Sequence, residues 1–98
     1  MKVDISGLNK HFENRVRLGI MSILVVNDSY DFNSLKASLD LTDGNLASHL
    51  KALEENGLVV SNKQFIGRKP NTTYSVTEEG RNKFALHLRA LEELIKSL

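Results

Sequence analysis

The chain has 98 residues, 41% of them hydrophobic, with thirteen Lys and Arg against twelve Asp and Glu and no cysteine. That length supports one domain with a modest core, the near balance of charge excludes a generally basic nucleic-acid coat, and the lack of thiols excludes disulfides and cysteine-ligated metal. Neither a long apolar run nor a small-residue cleavage pattern opens the chain, so a cytoplasmic protein with no membrane partner is expected.

Within residues 1–13, Ile5, Leu8 and Phe12 fall at i, i+3 and i+7, which predicts a short N-terminal helix with Ser6 as its cap. Over residues 14–26, Val16, Ile20, Ile23 and Leu24 share one side, and Leu18, Met21 and Val25 widen it into a central buried helix. Gly19 inside that helix costs about 1 kcal/mol of propensity relative to Ala, so a neighbour is expected to pack closely there, while Arg17 is expected to face out. Asn27-Asp28-Ser29 reads as a turn, and Tyr30-Asp31-Phe32 as a short strand with Phe32 in the core. Residues 33–40 form a second short helix, poor in intrinsic propensity and held by Leu35 and Leu39.

The stretch from Leu41 to Val59 carries a helix with its start and stop spelled out. Thr42 can cap the N-terminus, Asp43 sits in the positive first turn, and Gly57 supplies a left-handed stop. Leu46, Leu50 and Leu53 make one buried stripe; the opposite face holds Gly44, Ser48, Lys51 and Glu55, flanked by Asn45 and Ala52, with His49 on the shoulder. A small, polar outer face lets backbone and short side chains approach base edges in a major groove. Residues 58–66, a turn at Gly67-Arg68-Lys69-Pro70-Asn71, and residues 72–77 read as a β-hairpin, half-buried at its base and polar toward its tip. Between Asn56 and Thr77 there is no acid while Lys63, Arg68 and Lys69 are present, so the hairpin is the basic element of the chain. Thr77-Glu78-Glu79 opens a last helix over residues 78–98, in which Phe84, Leu88, Leu91, Ile95 and Leu98 recur at spacings of four and three as a coiled-coil-like seam.

Helix, turn, helix and hairpin in that order make a winged helix-turn-helix: α+β, mainly α, with a winged core at 14–77 and a C-terminal dimerisation helix at 78–98, all in one domain over 1–98. The chain resembles the small stand-alone winged-helix transcriptional regulators related to the MarR and ArsR groups. The resemblance is carried by Arg17-Leu18-Gly19-Ile20-Met21, Leu41 through Leu50, Gly57-Leu58-Val59, Gly67-Arg68-Lys69-Pro70 and Thr77-Glu78-Glu79-Gly80-Arg81. It implies a transcriptional regulator whose partner is double-stranded DNA, with recognition helix 42–56 in the major groove and basic wing 63–71 along flanking backbone or minor groove. Asn45 and Ser48 are the candidates for base edges, Thr42, His49, Lys51, Lys63 and Lys69 for phosphates, Arg68 for the minor groove, and Gly44 for close approach. Leu8, Phe12, Phe84, Leu88, Leu91, Ile95 and Leu98 are the candidates for a homodimer interface.

The rival expectation is a winged helix that docks onto a partner protein without touching DNA. Asp43 and Glu55 on the outer face of the recognition helix weigh against the DNA reading, because they would repel phosphates. His11, His49 and His87 lie on three separate elements, so no metal site is expected, and no cofactor. No phosphate loop, nucleophile elbow or paired-carboxylate site marks an enzyme, and no constellation identifies a small-molecule effector.

Overall fold

A computed structural model describes residues 2–98. The chain enters as an irregular segment, makes one 3-10 turn at Lys10–Phe12, and then forms α1 (Arg15–Leu24), β1 (Tyr30–Asp31), α2 (Phe32–Leu39), α3 (Asp43–Glu55), β2 (Val59–Ile66), β3 (Lys69–Val76) and α4 (Glu78–Lys96). The sheet is antiparallel in the order β1-β3-β2, which leaves β2 as a free edge. Among the described residues no helix is long and apolar enough to cross a membrane.

Every helix starts on a side chain of the expected chemistry. Asn14 accepts from the Val16 and Arg17 amides at the head of α1, Asp31 accepts from Ser34 at α2, Thr42 from Asn45 at α3, and Thr77 from Gly80 at α4. Each such bond satisfies an otherwise unpaired amide of the first turn. Asp40 (φ 53°) ends α2 in the left-handed region, and Gly57 (φ 71°) turns the chain from α3 into β2. The core is built from Phe12, Val16, Ile20, Met21, Leu24, Leu35, Leu46, Leu50, Leu53, Leu58, Val59 and Phe84. A Cβ at Gly19 would lie 2.8 Å from Leu39 Cδ2, the close neighbour that this glycine accommodates.

The N-terminal helix expected over residues 1–13 does not form. Asn9 caps the 3-10 turn and Asn14 starts α1 within five positions, so backbone hydrogen bonds are satisfied locally and no room is left for a longer helix. Ser6 bonds to the Asp4 carboxylate instead of capping, and Ile5 stays exposed. Phe32 is not a core strand residue; it opens α2 and packs half-buried against the core's edge. The helix of the Leu41–Val59 stretch stops at Glu55, because Gly57 redirects the backbone and Val59 already pairs with Val76.

Phe12 and Phe84, expected at an interface between copies, are buried in the chain's own core. They are 1% and 2% exposed, and their rings meet edge to face at 5.1 Å. His87 completes this cluster at 2% exposure, its ring 5.5 Å from that of Phe12. Its Nδ1 accepts the Asn9 amide at 2.9 Å, which ties the N-terminal segment to α4.

Burial holds the His87 pKa below its ordinary value against a smaller opposing pull from Glu13. The native state therefore resists protonation while the unfolded chain takes up a proton near pH 6.5. Between the lowered native pKa and that value the unfolded state binds more protons, so stability is full above about pH 6.5 and falls as pH drops. Urea denaturation at pH 7.5 and pH 5 should show this loss, and His87→Gln, which can still accept from Asn9, should shrink it. An unchanged pH dependence in the variant would remove His87 as its source.

Candidate nucleic-acid interface

Thr42, Asp43, Gly44, Asn45, Ala47, Ser48 and Lys51 are exposed along one side of α3, with Leu46, Leu50 and Leu53 buried beneath them. The Thr42 hydroxyl accepts from the Asn45 amide, and its own proton remains available to an acceptor outside the protein. Nothing lies within 4 Å of a Cβ built on Gly44, so this part of the helix presents a nearly bare backbone.

The acids that argued against a DNA face are occupied. Lys36 on α2 holds the Asp43 carboxylate at 2.7 Å, and Lys51 lies 3.9 Å from Glu55 one turn away. Glu54 accepts the Ser61 hydroxyl at 2.6 Å. The Lys36 pair spans the helix-turn-helix and has no local signature, because the partners sit on different helices.

His49 is turned toward α1. Its Nδ1 lies 2.9 Å from Arg17 Nη1, while Arg17 Nε donates to the His11 carbonyl at 2.6 Å. Arg17 therefore does not point freely into solvent as the helical periodicity of α1 implied. Its planar fork bridges the 3-10 turn and α3, a long-range contact with no sequence signature. Burial first, and the neighbouring Arg17 charge second, hold the His49 pKa below its ordinary value.

The wing's turn is tighter, and its second strand starts earlier, than the residue types suggest. Ile66 pairs with Lys69, so the loop is only Gly67-Arg68, and Lys69, Pro70 and Asn71 are already in β3. Gly67 has φ 66° and Arg68 does not share the left-handed conformation, the glycine-first pattern of a tight hairpin turn. Pro70 stands opposite Phe65, one pair in from the turn, and β1 reaches only as far as Thr73, so the missing proline N–H costs the sheet no partner. The tip is not purely polar: Phe65 and Ile66 are 74% and 64% exposed beside Arg68.

Strand alternation puts Lys63, Phe65, Pro70 and Thr72 on one hairpin face and Gln64, Ile66, Lys69 and Asn71 on the other. Lys63 and Lys69 thus project from opposite faces with Arg68 at the apex between them. Such an arm can meet cation-binding groups on both sides at once.

Among the described residues no three His, Asp or Glu side chains converge as metal ligands. Leu88 and Ile95 on α4 are exposed, and Leu91 is half-buried. Leu18, Gly19, Ser22 and Val25 of the α1 region form with Leu88 and Leu91 an open groove of about 540 Å³. Leu8 lies instead in a second groove with Leu86 and Ala90, on another side of α4.

The sequence profile of the winged helix DNA-binding domain matches residues 16–95. An uncharacterized protein of Methanocaldococcus jannaschii is 38% identical over 89 residues, which cover 91% of this chain and 97% of that protein. The solved structure of a transcriptional regulator homologue from Pyrococcus horikoshii OT3 superposes with a TM-score of 0.82 at 38% identity, over 89% of this chain and 86% of the other. A MarR-family protein of Enterococcus faecalis V583 shares the fold at 24% identity, with a TM-score of 0.74 over 89% of this chain and 77% of its own. With α3 braced in a helix-turn-helix, an arm of paired strands behind it and the profile spanning both, the chain belongs to the winged helix DNA-binding domain family.

Proposed function

We propose that this protein regulates transcription by binding a specific double-stranded DNA site as a homodimer. The observation that carries the reading is the exposed, short-chained polar face of α3 next to a wing with three cations and no acid. Asn45 and Ser48 reach base edges, Gly44 lets the helix approach, and Thr42, His49 and Lys51 hold phosphates beside them. Arg68 enters the minor groove while Lys63 and Lys69, on opposite faces of the arm, meet the two backbones that border it.

Selection of bound duplexes from random DNA, repeated with variants, tests these roles. Asn45→Ala should cost about 1 to 3 kcal/mol at particular base positions, whereas Lys69→Ala should weaken all sequences alike. A reversed pattern would invert the assignment. Absence of any duplex binding at low salt would leave the protein-docking alternative, for which exposed Phe65 and Ile66 would be the contact.

The dimer rests on the apolar strip Leu88, Leu91, Ile95 and Leu98 beside the α1–α4 groove. Burying one such side chain is worth about 1.5 to 3 kcal/mol. Leu91→Asp should therefore sediment as a folded monomer where the parent is a dimer, and DNA affinity should fall with the loss of one half-site. Identical sedimentation of the two proteins as monomers would show that the strip has no second copy to cover it.

A further inference from the structure

We infer that Arg17 and His49 form one composite phosphate clamp on the shoulder of α3, in which Arg17 fixes the imidazole so that Nε2–H faces the DNA. This deepens the proposed function and rests on it. A guanidinium has only donors, so the 2.9 Å contact between Arg17 Nη1 and His49 Nδ1 requires Nδ1 to be the acceptor. The neutral ring must then carry its proton on Nε2. Among the described residues that atom has no partner, His49 is only half-buried, and no buried polar side-chain atom lacks a partner. Nε2–H therefore reaches solvent.

The same reasoning applies to the second terminal nitrogen of Arg17, which also has no partner among the described residues and belongs to a half-buried side chain. Arg17 is in turn held by its Nε bond to the His11 carbonyl, so the pair is braced from the 3-10 turn through α1 to α3. His49 lies one helical turn beyond Asn45 and next to Ser48 in sequence, which places its free donor at the border of the base-facing surface. A fixed N–H beside a cationic fork is the chemistry that grips a phosphate oxygen. Burial and the adjacent guanidinium both favour the neutral ring. Arg17 is thus a positioning residue as well as a charge, and Lys cannot replace it because an ammonium lacks the fork.

Two measurements on the full chain test this. Long-range proton–nitrogen NMR should find His49 as the Nε2–H tautomer at neutral pH, and Arg17→Lys should loosen that preference. A protonated Nδ1, or no tautomer preference in the parent, overturns the proposal whatever happens with DNA. Affinity is then read on the duplex recovered from random-sequence selection. His49→Leu should weaken binding roughly tenfold for every sequence and leave the salt slope unchanged, since the ring is neutral. Arg17→Ala should weaken binding and also reduce the slope by about 2, one contact in each protomer. His49→Gln, which can accept from Arg17 and still donate outward, should keep most of the affinity and covers the case in which leucine disturbs folding. If Asn45→Ala and Lys69→Ala impair binding while His49→Leu and Arg17→Ala do not, the clamp is refuted and the DNA-binding reading stands. A change in preferred sequence with His49→Leu would make its contact a base edge and refute the phosphate assignment.

Discussion

Raising salt from 50 to 200 mM should weaken binding of this protein to its selected duplex by roughly 10⁴-fold. Lys51, Lys63, Arg68 and Lys69 are all exposed, and the last three lie on an arm without a single acid. If each neutralises one phosphate in both protomers, the slope of log affinity against log salt is about −7, from roughly −0.9 per contact. Fluorescence anisotropy across a salt series reads that slope directly. A slope near half that value would mean one protomer per site. A flat response would mean that affinity does not come from these cations, and the proposed function would fall with it.

Gly80→Ala should cost about 2 to 3 kcal/mol of folding stability, the upper part of the range for overpacking a closed site. Helix propensity alone argues the other way, since Ala is better than Gly by about 1 kcal/mol inside a helix. Geometry decides the sign. A Cβ at Gly80 would overlap the Leu58 carbonyl oxygen, and would sit 2.9 Å from that carbonyl's carbon and 3.1 Å from the Leu58 Cα. These are backbone atoms that cannot swing aside. The Leu58 carbonyl is also committed to the Thr77 amide at 3.1 Å, and the Thr77 hydroxyl donates to the Gly57 carbonyl at 2.6 Å. Moving α4 outward would break this junction between the end of α3 and the start of α4. Gly44→Ala is the matched control, because space around Gly44 is open and its substitution should gain up to about 1 kcal/mol. Urea denaturation measures both. A neutral Gly80→Ala would mean that α4 slides freely on the β2 entry, and a loss of DNA affinity confined to Gly44→Ala would place that glycine against the duplex.

These two glycines show what sequence reasoning can and cannot reach. Local rules found Thr42, Gly57 and the stripe Leu46, Leu50 and Leu53, because capping, left-handed stops and helical periodicity involve residues within one or two turns. The hairpin is legible for the same reason, although its turn is tighter than the residue types predict: pairing with β2 draws Lys69, Pro70 and Asn71 into a strand. Periodicity cannot tell whether an apolar position is covered by the chain's own core. Phe84 and Leu88 stand on one helical stripe, yet Phe84 is buried against Phe12 of the same chain while Leu88 is 44% exposed. The pairs around the exposed face of α3, Lys36 with Asp43 and Arg17 with His49, join separate helices and leave no trace in local spacing. Gly80 carried no local reason at all, since the carbonyl that forbids a side chain there belongs to a strand entry twenty-two positions earlier.

The open edge of the sheet carries a hazard of its own. β2 presents one side of eight residues with no neighbouring strand, and Val60, Phe65 and Ile66 on it are exposed. An unpaired strand of this kind invites another chain to extend the sheet, which is the first step toward aggregates. Asn62, Lys63 and Gln64 interrupt the apolar run, and the lysine charge in its middle repels a second copy laid alongside. Lys63 therefore guards solubility whatever it does for DNA. Neutralising it to weaken phosphate binding would also remove that guard, so a loss of apparent affinity in Lys63→Ala could reflect self-association, and substitutions at the tip, Arg68 or Lys69, separate the two effects cleanly.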